Sequence, residues 1–345
     1  MESLAVRYRP HTFEDVVGQE STIKILKQEI ESNTFVNSYL FCGASGCGKT
    51  TVARIFANDI NKGHGKPIEI DAASNSGVDN VRELIKQSQE RSLDSEYKTF
   101  IIDECHALSS QAWQAFLKGI EEPPKYTIYI FCTTEPNKVP KTILNRVQRF
   151  NFARFDTQQI CNRLNYILNE EYKLGNVIPT ETSKQAVTSI AKMSNGGMRD
   201  AVTYLDTCLK YDKKLSVENV SKALGEYSYD TLFSVINLIV DRNEQDLLSK
   251  LDEIYNSGSD MHLFVQTMLK FSLDIQKYFV TGNIAVTSIP DIYEKEIKKL
   301  ELQEAVIPYY SYITKNMLDL FNDIRGVQDC ESFITIYFLK MARCE

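Results

Sequence analysis

Residues 43–50 read Gly43-Ala44-Ser45-Gly46-Cys47-Gly48-Lys49-Thr50, with Thr51 following, and this run constrains the fold more than any other. It is a G-x-x-x-x-G-K-[ST] loop, in which glycines let the backbone curl so that its N–H groups point inward at phosphate oxygens. Before it, Ser38-Tyr39-Leu40-Phe41-Cys42 reads as a buried strand; after it, Val52, Ile55, Phe56 and Ile60 recur at helical spacing. A strand, a loop and a helix in that order put a helix N-terminus under the anion, where unpaired N–H groups and the helix dipole favour negative charge. Lys49 is then placed to reach the outer phosphates, and Thr50 to offer its hydroxyl to Mg²⁺. A glycine-rich turn with a solvated lysine is the bland alternative, and the flanking strand and helix weigh against it. The run implies that a nucleotide is bound.

At 345 residues the chain is long enough for about two domains, or three if some are small helical units. With 43% apolar residues there is ample material for cores. No run of eighteen consecutive apolar residues occurs, so no transmembrane helix is expected. The N-terminal stretch Met1-Glu2-Ser3-Leu4-Ala5-Val6-Arg7 lacks the apolar segment of an export signal, and a cytoplasmic, non-secreted protein is expected. Eight cysteines lie scattered at 42, 47, 105, 132, 161, 208, 330 and 344 without a C-x-x-C pair. That pattern predicts buried, reduced thiols, with neither a zinc site nor a disulfide framework. A net charge of −7 argues against indiscriminate coating of nucleic acid. A local basic stripe can still contact DNA, because a footprint depends on distribution rather than total.

From 36 to 152 short apolar runs alternate with helical patterns. Ile68-Glu69-Ile70, Thr99-Phe100-Ile101-Ile102 and Thr127-Ile128-Tyr129-Ile130-Phe131 read as strands. Val81/Leu84/Ile85 and Trp113/Phe116/Leu117/Ile120 mark helix faces. This alternation predicts an α/β fold, a parallel sheet with helices on both sides. After Phe152 the strand runs disappear, and helical patterns follow at Thr157–Glu171, Glu181–Ser194, Met198–Tyr211 and Ser216–Leu224. Asn195-Gly196-Gly197 is a strong stop between the second and third of them. From about Glu226 the chain is again helical, with apolar faces such as Tyr229, Leu232, Phe233, Ile236 and Ile239. Such faces suit a self-contained bundle or an oligomerisation surface. The expected division is 1–153, 154–225 and 226–345.

Phe100-Ile101-Ile102-Asp103-Glu104 is an apolar strand ending in two carboxylates. Beside a phosphate loop, Asp103 can hold Mg²⁺ and Glu104 can orient and polarise an attacking water, the two needs of phosphoryl transfer. A helix N-cap pair is the alternative, since acidic residues favour helix starts. The next strand ends Phe131-Cys132-Thr133-Thr134, so Thr133 can reach the terminal phosphate or the water, or can simply close the strand. Arg146 follows a helix-like Pro140–Asn145, and Arg199 opens a helix after the Gly-Gly stop. A guanidinium stabilises charge on phosphate oxygens through two parallel hydrogen bonds, although each arginine alone also reads as a surface residue.

These pieces in this order resemble the AAA+ clamp-loader ATPases, most closely the bacterial-type gamma/tau subunits of DNA polymerase III. The resemblance starts at Val6-Arg7-Tyr8-Arg9-Pro10 and Phe13-Glu14-Asp15-Val16-Val17-Gly18-Gln19, then takes in the phosphate loop. It continues through Asp71-Ala72-Ala73-Ser74-Asn75, Ile102-Asp103-Glu104-Cys105-His106 and Phe116-Leu117-Lys118-Gly119-Ile120-Glu121-Glu122-Pro123-Pro124. It ends with Thr133-Thr134-Glu135-Pro136 and Gly197-Met198-Arg199-Asp200-Ala201, so that motifs cover 6–201. The Glu-Glu-Pro-Pro and Gly-Met-Arg-Asp-Ala elements discriminate much better than the phosphate loop. The resemblance implies a RecA-like AAA+ domain over 1–153, a helical lid over 154–225 and a helical collar over 226–345. It implies ATP and Mg²⁺ as ligands, with Arg7, Tyr8, Pro10 and Val17 around the adenine and residues 43–51 around the phosphates. Lys49 and Thr50 become the phosphate and Mg²⁺ contacts, and Asp103 and Glu104 the hydrolytic pair. Thr133 looks like the first phosphate sensor, Arg199 like the second, and Arg146 like a finger reaching the ATP of a neighbouring subunit.

Three departures accompany the match. The finger motif is usually Ser-Arg-Cys, whereas here it reads Asn145-Arg146-Val147, with Arg149 as a rival finger. The four-cysteine zinc module of many bacterial relatives is replaced by a short, cysteine-free Ala57–Pro67, so no zinc is expected. The sequence given stops at Glu345, short of the family's long extension, which would suit a compact version in a bacterial cell or a phage-infected host. The implied activity is ATP hydrolysis coupled to clamp loading, with no polymerase site. The implied partners are a sliding clamp, the phosphate backbone of primer–template DNA, and companion subunits in a pentamer, with no membrane. Arg82, Lys86 and Lys118 are the DNA-contact candidates, a solvated helix face being the alternative. The clamp would meet the helix beginning near Ser109. Rival readings are a non-catalytic structural subunit and another AAA+ DNA motor such as a branch-migration ATPase.

Overall fold

The computed structural model describes residues 2–180, 182–224, 227–258, 260–301, 306–327 and 330–344. Side chains alternate between the two faces of a strand, so a strand apolar at every position must be covered on both sides. β1 (Ser38–Gly43) is such a strand, buried from Ser38 to Cys42. β4 (Thr127–Thr133) is buried throughout, and β3 (Lys98–Asp103) from Thr99 to Ile102. With β2 (Ile68–Asp71) and β5 (Gln148–Phe152) they form one parallel sheet in the order β2-β3-β4-β1-β5. The two strands that carry polar residues at alternate positions, β2 and β5, take the edges.

The helices of this part are α1 (Leu4–Arg7), α2 (Glu20–Ser32), α3 (Lys49–Ile60), α4 (Val78–Gln89), α5 (Ser110–Glu121) and α6 (Lys141–Leu144). The strand alternation sorts the core into two layers. Tyr39, Phe41, Ile101, Ile130, Phe150 and Phe152 join Leu26 of α2 and Val52 and Phe56 of α3. Leu40, Cys42, Phe100, Ile102, Tyr129 and Phe131 join Val81 and Leu84 of α4 and Trp113, Phe116 and Ile120 of α5. The two buried tyrosine hydroxyls of the sheet find acceptors: Tyr39 donates to Glu29 Oε2 at 2.6 Å and Tyr129 to Ser88 Oγ at 2.6 Å. Ser109 caps α5, its Oγ accepting from the Ala112 N–H at 3.2 Å. The expected α/β fold, with helices on both faces of a parallel sheet, is what the chain adopts.

The helical patterns after Phe152 become α7 (Thr157–Lys173), α8 (Ser183–Met193), α9 (Met198–Tyr211) and α10 (Val217–Leu224). Glu181, where the second was expected to begin, lies outside the described residues, as do Gly225 and Glu226 at the expected boundary. Then follow α11 (Tyr229–Val240), α12 (Glu244–Asn256), α13 (Met261–Thr281), α14 (Glu294–Glu301), α15 (Val306–Asp323) and α16 (Glu331–Arg343). No strand occurs among the described residues from 227 onward. The chain separates into two compact units, one of 1–169 with 194–206 and one of 170–193 with 207–345. The second has its own core, in which Phe233, Phe264, Phe271, Met317 and Phe338 are buried together.

Seven of the eight cysteines are buried free thiols and Cys344 is exposed. Burial pushes the thiols of Cys42, Cys47 and Cys105 above their ordinary range and that of Cys208 up to about 12, so none of these supplies thiolate near neutrality. An aromatic disulfide reagent at pH 8 is therefore expected to modify Cys344 quickly and the other seven only on unfolding. Rapid reaction of several thiols in the folded chain would contradict this packing.

Candidate active site

The C-terminal ends of β1 and β3 open into a cleft of about 340 Å³, within the size range of small-ligand sites. Its floor is the phosphate loop. Gly46 and Gly48 adopt φ of +72° and +96°, left-handed values that cost other residues strain. A Cβ at Gly46 would also stand 3.2 Å from Gly197 Cα. That close approach lets the Met198 N–H donate to the Gly46 carbonyl at 3.1 Å, fixing the start of α9 over the loop. Gln19 braces the loop from another side: its Nε2 donates to the Cys47 carbonyl at 3.4 Å, and its amide exchanges two hydrogen bonds with the Ala153 backbone, at 2.8 and 3.1 Å.

Lys49, the first residue of α3, is 6% exposed, and its Nζ donates to the carbonyls of Gly43 and Ala44 at 2.9 Å each. The ammonium is thus held at the mouth of the loop. Thr50 Oγ1 donates to Asp103 Oδ2 at 2.7 Å, while the Glu104 N–H donates to Asp103 Oδ1 at 3.0 Å. A hydroxyl and a carboxylate in contact at the foot of a phosphate loop are the oxygen donors that Mg²⁺ prefers, so these residues fit that ion. Glu104 lies in the left-handed region at φ 46°, a conformation unfavourable for a residue with a Cβ and characteristic of functional sites. Its Oε2 accepts from Thr134 Oγ1 at 3.1 Å and lies 3.3 Å from His106 Nδ1.

Of the sequence-predicted residues, the cleft brings together Tyr8, Pro10, Val17, Ser45, Gly46, Gly48, Lys49, Thr50, Thr51, Asp103, Glu104 and Arg199. Arg7 stands beside the lining, its guanidinium 5.2 Å from the Tyr8 ring centroid. Cys47 is buried beneath the loop. Thr133 is fully buried outside the lining, its Oγ1 accepting from the Glu135 N–H at 3.0 Å. Arg146 also lies outside the cleft: Nη1 donates to the Thr142 carbonyl at 2.8 Å, and Nη2 pairs with Glu121 Oε1 at 2.8 Å. Arg149 donates from Nε to Asn151 Oδ1 at 3.0 Å. Arg82, Lys86 and Lys118 are exposed on α4 and α5, Arg82 pairing with Asp79 at 3.2 Å.

Several lining residues escaped sequence reasoning. Arg163 of α7 donates from Nη2 to the Tyr8 carbonyl at 2.6 Å and so holds the N-terminal segment against the cleft. Arg54 lines it while bonding both oxygens of Glu69, at 2.6 and 2.5 Å. Ala5, Phe155 and Val202 also line it, beside Arg9, Asp15, Val16 and Met198, which lie in stretches that the sequence motifs single out. Arg163 and Arg54 occupy polar positions of helical patterns, which read as solvent-facing; only the approach of other segments reveals their role.

A phosphate loop on β1, an Asp-Glu pair on β3 and a helix start over the loop define a phosphate-loop nucleotide-binding domain. Family models agree: residues 64–156 match "DNA polymerase III, delta subunit" and residues 215–306 match "DNA polymerase III subunits gamma and tau domain III". The chain belongs to the AAA+ clamp-loader ATPases. It is 36% identical over 293 residues to DNA polymerase III subunit tau of Bacillus subtilis, covering 79% of this chain and 51% of that one. It is 30% identical over 332 residues to the gamma/tau subunit of Mycoplasma genitalium, covering 90% and 54% respectively. The chain thus spans about half the length of the curated relatives it matches. Among solved structures, the Thermotoga maritima RuvB Holliday junction branch migration motor superposes with a TM-score of 0.51 at 17% identity. That match covers 67% of this chain and 79% of RuvB, a likeness of fold alone. Among the described residues no helix is long and apolar enough to cross a membrane.

Replacing Lys49 with alanine removes the ammonium from the loop without emptying a core. It is expected to weaken ATP binding at least about a hundredfold, of the order of losing one strong charged contact to phosphate. Titration with a fluorescent ATP analogue measures this, and unchanged affinity would contradict the placement of the triphosphate.

Proposed function

We propose that this chain is an ATP-hydrolysing subunit of a clamp loader, opening a sliding clamp and placing it on primer–template DNA. The observation that carries the reading is the Thr50–Asp103 contact in a cleft that Lys49 and Glu104 also line. In this reading the loop N–H groups and Lys49 hold the triphosphate, and Thr50 and Asp103 hold Mg²⁺. When bound, the metal neutralises charge on the phosphate oxygens. Glu104 accepts a proton from the attacking water as its oxygen bonds to the terminal phosphorus and the bond to ADP breaks. Arg7, Tyr8, Pro10 and Val17 enclose the adenine, and Arg199 reports the phosphate from the start of α9. Thr133, at the end of β4, is the candidate first phosphate sensor.

Arg146 lies away from its own chain's cleft, which suits a finger acting on a neighbour's ATP; Arg149 is the alternative finger. An active assembly is then an oligomer, a pentamer with companion subunits, held by the helical region from 226 onward as a collar. The helical residues 154–225 form the lid. The work of loading follows from differential binding: the ATP state favours clamp and DNA, and the ADP state does not. DNA contacts go to phosphates, with Arg82, Lys86 and Lys118 as candidates, because loading is independent of sequence. The clamp meets the helix after Ser109. No zinc takes part, and the site of action is the cytoplasm of a bacterial cell or phage-infected host.

ATP turnover measured with a sliding clamp and primed DNA, separately and together, tests the reading. A joint stimulation well above either alone is expected, whereas stimulation by a four-way junction alone would favour a branch-migration motor. Glu104→Gln is expected to bind ATP with wild-type affinity while turnover falls at least about a hundredfold, the usual range for losing a general base. Unaltered hydrolysis would remove Glu104 from the chemistry.

A further inference from the structure

His106 is absorbed by none of these roles, yet it is the best-connected side chain behind the cleft. Left-handed Glu104 reverses the chain into a single 3-10 turn, Cys105–Ala107, which folds the imidazole back towards the carboxylate two residues earlier. The ring is 18% exposed. Its Nδ1 lies 3.3 Å from Glu104 Oε2 and 3.2 Å from Thr133 Oγ1, so the tautomer that carries its proton on Nδ1 faces both oxygens. Its Nε2 lies 3.4 Å from Glu135 Oε1, and Glu135 is itself held by Lys138 at 2.9 Å. The imidazole therefore stands between a cleft-wall carboxylate and the Glu135–Lys138 ion pair that follows β4.

We propose that His106 is a positioning residue for Glu104: an N–H on its Nδ1 edge steadies the carboxylate. This rests on the reading of Glu104 as the group that takes the proton. A glutamate has three rotatable side-chain bonds, and on a left-handed residue its local backbone gives little guidance to the carboxylate. Thr134 supplies one restraint, at Oε2; His106 supplies a second at the same oxygen and leaves Oε1 for a water. A misplacement of about 1 Å at a reacting group can cost a hundredfold in rate, so this restraint belongs to turnover rather than to nucleotide affinity.

The test is steady-state ATP turnover by the full chain in its assembled form, with wild type, His106→Ala, His106→Asn, His106→Gln and Glu104→Gln side by side. ATP affinity and thermal midpoint are measured for each. His106→Ala is expected to lower kcat about ten- to a hundredfold, with KM and ATP affinity within about twofold of wild type. Asparagine places an amide nitrogen where Nδ1 stood and should recover kcat to within about threefold. Glutamine places its amide at the Nε2 position and should remain near the alanine variant. An inert Glu104→Gln beside a fully active His106→Ala would overturn this proposal alone. Equal rescue by asparagine and glutamine, or KM and kcat worsening together in all three variants, would also overturn it. A fully active Glu104→Gln would overturn the role of Glu104 itself, and this proposal with it.

Discussion

The 2.7 Å hydrogen bond from the Thr50 hydroxyl to the Asp103 carboxylate joins residues 53 positions apart, and the arrangement of the site depends on it. It ties the first turn of α3, which follows β1, to the end of β3, a strand that does not neighbour β1 in the sheet. With the order β2-β3-β4-β1-β5, β4 lies between β1 and β3. The phosphate loop and the acidic pair therefore flank the end of β4, where Thr133 and Thr134 stand. Open parallel sheets place their ligand crevices beyond the carboxyl ends of the strands, where such flanking occurs. The loop residues and the acidic pair follow different strands, and the sheet brings Thr50 and Asp103 within hydrogen-bonding distance.

A second layer of restraint surrounds this centre. Gly46 allows α9 to begin against the loop, Gln19 locks the N-terminal segment to Ala153, and Arg163 holds the Tyr8 carbonyl. Each of these contacts links segments distant in sequence, and each involves a backbone carbonyl or N–H. Main-chain partners hold the walls in place regardless of which side chains line them. The walls at the Tyr8 end are thus positioned by the same physics that satisfies buried polar groups elsewhere in the fold.

Much of this was legible in the residues. β1, β3 and β4 are unbroken apolar runs, and burial on both faces makes hydropathy a direct readout of such strands. Lys49, Thr50, Asp103 and Glu104 sit in short motifs whose geometry follows from strand, loop and helix order. β5 is harder to read, since Gln148-Arg149-Phe150-Asn151-Phe152 carries polar residues at an edge where only one side of the strand is paired. Arg54 and Arg163 were invisible because their helical positions look solvated until another segment arrives. The geometry of Thr133 was illegible for a related reason. A threonine ending a strand reads alike whether its hydroxyl faces the cleft or, as here, turns toward His106.

The central claim is that a triphosphate lies on the loop at residues 43–50 and that Thr50 and Asp103 share one Mg²⁺ beneath it. A crystal structure of the chain with Mg²⁺ and a non-hydrolysable ATP analogue tests it most directly. The account predicts Lys49 Nζ within hydrogen-bonding distance of the outer phosphates, the metal against the Thr50 hydroxyl on the Asp103 side, and the Glu104 carboxylate facing the terminal phosphorus. A triphosphate bound away from Lys49, or a metal with no oxygen of Thr50 or Asp103 in its surroundings, would contradict it.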